Sequence, residues 1–254
     1  MRVVSWNIAG GHKMRSAASL FDYAGLDLDY FIDQLRAVLP DIVCLQETHS
    51  RPGESIAADI ARALDLPYVY EVAVSPSHID DRYRLGNAIL SRWRLQHVAD
   101  LTYPFPDFAL RFKDGQPAQR HDKMAQLYQL DGVMIANTQM MPFDVFGVDH
   151  KHGAGAQNIQ QIEQQLLVAL HAPLILCGDL NMKNASKILA KLYAKLSLRD
   201  VLPPVPTRPL EHRLKSDYIL VSPTIMCKKS SVVPAQADHF LCLADLEARP
   251  YRSH

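Results

Sequence analysis

The stretch "LILCGDLNMK" (residues 174–183) drives an apolar run of strand length to its end and there presents Asp179 and Asn181. Glycine, aspartate and asparagine are ordinary residues at a strand exit. Taken alone, the stretch therefore reads equally as a turn or as a carboxylate mounted on a rigid post. Working outward, the same pattern recurs. "RVVSWNI" (2–8) carries Asn7, "DIVCLQE" (41–47) ends in Gln46 and Glu47, "SDYILVS" (216–222) starts beside Asp217, and "ADHFLCL" (237–243) opens with Asp238 and His239.

Further strand-like runs are "YVYEVAV" (68–74), "NAILS" (87–91), "AQLYQL" (125–130) and "VMIANTQ" (133–139). Asp131 and Gly132 between the last two give a two-residue hairpin signal, so part of the sheet is expected to be antiparallel. Helical periodicity appears over 28–40, over 54–67 and in "GAGAQNIQQIEQQLLVALHAP" (153–173), where Ile159, Ile162, Leu166 and Leu170 form one stripe that Pro173 ends. Hairpins mixed with helices predict a layered α/β protein. No repeat or linker divides the chain, so one domain over 1–254 is expected, and the proline-rich "VLPPVPTRPLEHRLK" (201–215) reads as a surface loop.

Lysine plus arginine equals aspartate plus glutamate at 27 each, so no global charge advertises nucleic acid or anionic membrane, and any basic patch must be local. Of four cysteines, Cys44, Cys177 and Cys242 lie in apolar runs without zinc-ligand spacing or a disulfide framework, and a reducing, cytoplasmic setting is expected. Neither a signal peptide nor an apolar run of about 18 residues is found, so no transmembrane segment is expected, and the chain is expected to be a monomer.

Two asparagines, four acids and a histidine at strand termini can converge on one edge of a sheet stack. Hard oxygen donors suit Mg²⁺, which is held by one or two carboxylates and substrate phosphate oxygens. With a histidine on the phosphate and a carboxylate orienting water, such a set makes a phosphoester hydrolase.

The motifs "SWNIAGG", "PDIVCLQET", "GNAILS", "IANTQ", "CGDLN", "SDYILVS" and "ADHFLCL" occur in an order and spacing that resemble the endonuclease/exonuclease/phosphatase superfamily, across nearly the whole chain. The resemblance implies the fold of DNase I, a four-layer α/β/β/α sandwich of two mixed sheets with helices outside. It implies Glu47, with Asn7 nearby, as the principal metal site, for Mg²⁺ with Mn²⁺ as substitute. Asp238 is implied as a ligand of that metal or of a second one. Asp179 is implied to orient or deprotonate the attacking water, Asn181 to hold phosphate or water, and His239 to donate to a phosphate oxygen with its tautomer fixed by Asp217. Asn87 is implied beside the cleft.

The chain departs from the family pattern at Gln139, where many members have histidine after Asn137 and Thr138, and at Lys215, where many have arginine. Asn137, Gln139 and Lys215 are expected on the substrate side, with a weaker hold on transition-state charge. The expected reaction is Mg²⁺-dependent hydrolysis of a phosphodiester in nucleic acid or a nucleotide derivative. A phospholipid or inositol phosphate esterase is the alternative, and a non-catalytic binding module with the same fold a further one.

Other features carry two readings each. His12 with Gly10 and Gly11 is a flexible loop or a cleft mouth, and "DHKHG" (149–153) a loop or a metal site. "LTYPFPDFALRF" (101–112), with Tyr103, Phe105, Phe108 and Phe112, is a proline-broken strand with core aromatics or a stacking surface. Arg82, Arg84, Arg120, His121 and Lys123 are phosphate contacts or solvated loop charge.

Overall fold

Asn7 and Asp179 end their strands and Glu47 lies midway along its own, and all three strands are buried over most of their length, as strands covered on both faces are. The computed structural model describes residues 1–16, 22–106, 110–209 and 214–248. The first part of the chain supplies β1 (Arg2–Asn7), β2 (His12–Met14), β3 (Tyr23–Leu26), α1 (Leu28–Val38), β4 (Ile42–Arg51), β5 (Glu54–Ser55), α2 (Ile56–Ala63), β6 (Tyr68–Pro76) and β7 (Arg84–Ser91). Next come β8 (Gln96–Thr102), β9 (Met124–Leu130), β10 (Val133–Gln139), α3 (Gly153–Ala169), β11 (Leu174–Asp179), α4 (Ala185–Ile188), α5 (Ala190–Leu196), β12 (Arg199–Asp200) and β13 (Asp217–Val221). β14 (Ile225–Val233) and β15 (Leu241–Ala248) then return to the first sheet.

One large sheet runs β14-β15-β1-β4-β7-β6 with β5 alongside β4, a second runs β12-β13-β11-β10-β9-β8, and β2 and β3 pair separately as a two-stranded antiparallel sheet. Each large sheet mixes one parallel pair, β1 with β4 and β10 with β11, into antiparallel neighbours. Asp27 caps α1 by accepting from Tyr30 N, and Ser55 caps α2 through Ala58 N, so both helices start where the sequence offers an oxygen to their free N–H groups. Phe31 and Leu35 of α1 and Ile60 of α2 pack on the outer face of the first sheet, and Ile159, Ile162 and Leu166 of α3 on the outer face of the second. Between the sheets lie Val3, Ile42, Cys44, Ile89, Ile135, Ile175, Cys177 and Ile219. The protein is thus the four-layer α/β/β/α sandwich expected from the sequence. Among the described residues no helix is long and apolar enough to cross a membrane.

β8 and β14, absent from the sequence reading, are edge strands: one neighbour and partial exposure leave them polar, so neither shows a continuous apolar run. The aromatic segment divides. Tyr103 is buried with its hydroxyl 2.5 Å from Thr138 Oγ1 and Phe105 packs on the core, whereas Phe112 stands at the surface; Phe108 lies outside the described residues. The Gly10–Gly11 turn is buried, with the His49 ring so close that a Cβ at Gly10 would meet it at 2.3 Å.

Asn137, expected at the substrate, instead sits wholly inside the sheet interface. Its Nδ2 donates across to Leu45 O (2.9 Å) and Ala88 O (3.0 Å), and its Oδ1 accepts from Gln46 Nε2 (2.7 Å). Truncation would leave several buried polar groups unpaired, so Asn137→Ala is expected to cost about 2–4 kcal/mol, read as a lower urea midpoint at unchanged slope. A midpoint equal to the parent's would mean that apolar packing alone aligns the sheets.

Candidate active site

Glu47 is the extra residue of a β-bulge: Gln46 pairs with Asn87 and Thr48 with Gly86, leaving Glu47 between them at φ +54°. A bulge re-aims a side chain that the strand would otherwise point into a layer. Here it brings the carboxylate to Gln139, whose Nε2 donates to Glu47 Oε1 at 2.6 Å, and to Lys123 Nζ at 3.4 Å. Burial opposes its charge, but Lys123, His78 and the Gln139 hydrogen bond outweigh it and hold the carboxyl well below the usual range.

Asp179 closes β11, in register with Gln139 on one side and Asp217 on the other. Gly178 before it has φ +155°, and a Cβ there would lie 1.9 Å from Thr138 O, so only glycine lets β11 approach β10 this closely. Three amide donations hold the carboxylate: Asn181 N to Oδ1 (3.0 Å), and Asn181 Nδ2 (2.8 Å) and Asn7 Nδ2 (3.3 Å) to Oδ2. Asn181 itself is anchored by donating to Met140 O, and Asn7 by accepting from Ala9 N. Burial pushes the Asp179 carboxyl up to about 6, against the pull of His239.

Asp217 opens β13 and accepts from Thr207 Oγ1 (2.6 Å) and Ser216 Oγ (3.0 Å). His239 Nδ1 lies 2.9 Å from Asp217 Oδ2, and its Nε2 faces Asp179 Oδ2 at 3.7 Å and Asp238 Oδ2 at 3.9 Å. Burial disfavours the imidazolium, yet Asp217 and Asp179 outweigh both that and Arg208, raising His239 to about 9. Ligand atoms of Asp179, Asp217 and His239 fall within 4.8 Å of one another, close enough to hold a metal ion. The wider set Asn7, Glu47, Asp179, Asn181, Asp238 and His239 lines one cavity of about 570 Å³.

Of the other sequence candidates, Lys123 and His121 line this cavity. Lys215 does not: its ammonium pairs with Asp200 at 2.5 Å and bonds the carbonyls of Leu202 and Pro203. Asn87 is buried beside Gln139 and Lys123 at a void of about 10 Å³. Arg82 and Arg120 pair with Asp80 and Asp122 on the surface, and His152 with Asp149.

The sequence reading missed Arg208. The 201–215 segment, expected at the surface, buries Thr207 completely and leaves Arg208 only 7% exposed. Arg208 Nη2 donates to Asp238 Oδ1 at 2.7 Å, and its Nε is buried without an acceptor among the described residues. Nothing in the sequence marks this arginine, since the surrounding prolines suppress both periodicities. Tyr23, at the start of β3, and His78, in the loop after β6, also line the cavity and carry no motif.

The model of the Endonuclease/Exonuclease/phosphatase family matches residues 4–240. Among solved structures, an endonuclease/exonuclease/phosphatase from Beutenbergia cavernae DSM 12333 is 18% identical, with a TM-score of 0.70 over 98% of this chain and 71% of that one. The mannosyl-6-phosphatase Bt3783 of Bacteroides thetaiotaomicron VPI-5482 is 17% identical, with a TM-score of 0.60 over 97% and 99%. An AP endonuclease from Archaeoglobus fulgidus is 16% identical, with a TM-score of 0.59 over 98% and 100%. None of the curated proteins matches in sequence at a significant level.

Proposed function

Because the chain belongs to the endonuclease/exonuclease/phosphatase family, whose members hydrolyse phosphoesters, we propose that it is a Mg²⁺-dependent phosphodiesterase of nucleic acid or a nucleotide derivative. The observation that carries this reading is the convergence of Asp179, cradled by three amide donors, with His239 and Glu47 on one cavity.

The donor set fits a hard divalent cation: Glu47 is kept ionised, and Asn7 and Asp238, which carry side-chain oxygens, line the same cavity. Glu47 is the principal ligand in this reading, with Asn7 and Asp238 around it and Mn²⁺ able to replace Mg²⁺. Such an ion supplies positive charge to the phosphate oxygens when bound. Asp179 orients a water for in-line attack on phosphorus and takes its proton, a task suited to a carboxyl raised toward neutrality. His239, held cationic by Asp217, donates from Nε2 to a phosphate oxygen, and Asn181 fixes phosphate or water.

Hydrolysis should be assayed on single-stranded, duplex and abasic DNA, RNA, cyclic dinucleotides, an inositol phosphate and sphingomyelin, with Mg²⁺, Mn²⁺ and chelator. One nucleic-acid or nucleotide class is expected to be cleaved only with metal. Glu47→Gln is expected to raise the Mg²⁺ concentration for half activity by about 10-fold or more, with calorimetry showing the same loss of ion affinity. Turnover that persists in chelator would refute the metal dependence; cleavage confined to the lipid or inositol phosphate would move the substrate to that class.

A further inference from the structure

A second cavity, of about 550 Å³, adjoins the first. The two share Phe112, Pro142, Val145, Asn181 and Arg208 as a common wall. Their chemistry differs. The first holds the buried carboxylates and His239, whereas the second is walled largely by Phe112, Val145, Met182 and Leu214. Lys113, Lys183 and Lys215 also line the second, with Asp114, Asp144 and Ser216, so that charged side chains stand beside its apolar ones.

Arg208 sits in the wall between them. Its Nη2 is committed to Asp238, but its Nε is buried and lacks an acceptor among the described residues. The guanidinium's positive charge stands in the wall that the two cavities share and favours an anion placed at the neck. Asn181, which borders both cavities, bonds the Asp179 carboxylate through its main-chain N–H and its side-chain amide. A phosphate at this neck has the reacting carboxylate on one side and the apolar cavity on the other.

A phosphomonoester would have one organic group to place and leave one cavity unused. A phosphodiester has two. We propose that the second cavity binds the second organic group of a phosphodiester, a planar ring such as a nucleobase stacked on Phe112, while Arg208 holds the diester phosphate at the neck. This rests on the phosphodiesterase reading and extends it to the shape of the substrate. Aromatic stacking supplies affinity for any base, because every base presents a π-face.

The test is calorimetric binding of a dithymidine phosphodiester and of thymidine monophosphate to the Asp179→Asn protein with Mg²⁺. The diester is expected to bind about tenfold more tightly, the worth of one stacked base. Leu214→Trp, which fills only the second cavity, should bring the diester to the monophosphate's affinity and leave the monophosphate unchanged. Phe112→Ala should remove the same advantage and Phe112→Trp restore it. Equal affinity for the two ligands, or a diester advantage that survives both Leu214→Trp and Phe112→Ala, overturns the proposal. Because binding is read without turnover, a wild-type protein that hydrolyses nothing would sink the hydrolase reading and leave the pocket standing.

Discussion

Asp179→Asn is expected to fold as the parent does and to lose about 10³-fold or more in kcat, the range a positioned proton acceptor supplies. The stability half follows from the carboxylate's surroundings. Burial already pushes Asp179 toward its neutral form, so an uncharged side chain of the same shape removes a desolvation cost. Against that, the new amide NH₂ would face either the Asn181 main-chain N–H or the side-chain amides of Asn7 and Asn181. The two effects oppose, and the net change in urea midpoint should correspond to about 1 kcal/mol or less. The rate half follows from chemistry alone, since an amide cannot take a proton from water. Kinetics on whichever substrate the panel identifies, run beside urea unfolding, separates the two. Unchanged turnover in a folded variant would remove Asp179 from the reaction.

The strand-end acids were legible because a buried strand needs an apolar run, and a run that stops at Glu47, Asp179 or Asp217 is visible in one dimension. What the residue does after the run stops was not. Glu47 reaches the cavity through a bulge and a positive φ, neither of which has a residue signature here. Asn137 and Gln139 sit two apart on β10, and both looked like substrate contacts; one points into the sheet interface and the other steadies Glu47. The change from histidine to Gln139 thus bears on the carboxylate, with Lys123 supplying the nearby positive charge. Arg208 was illegible for a different reason. Its place depends on Thr207 folding back onto Asp217, a contact between a loop and a strand ten residues away that no local pattern encodes. The same is true of edge strands β8 and β14, whose identity comes from a neighbour and not from their own hydrophobicity.

Asp217→Asn makes the same chemical change one strand over, in register with Asp179, and is expected to behave in the opposite way. Asp217 receives donors only: the hydroxyls of Thr207 and Ser216 on Oδ2, and Nδ1 of His239 within 3.0 Å of both oxygens. An asparagine can present one acceptor to that set, and its NH₂ must then oppose a hydroxyl or the imidazole. The imidazolium of His239 loses the partner that outweighs its burial, so the ring turns neutral or the structure opens around it. Stability should fall by about 3 kcal/mol, the cost of leaving one member of a buried ion pair alone. The rate should fall by about 10²–10⁴-fold, because a neutral histidine with its proton on Nδ1 has no Nε2–H to donate to the phosphate oxygen. The discriminating measurement is the pair of variants in one urea series: Asp179→Asn near the parent midpoint and Asp217→Asn well below it. Equal midpoints would mean that His239 is neutral in the folded protein, and the phosphate-donor role would then pass to Arg208, whose charge does not depend on Asp217.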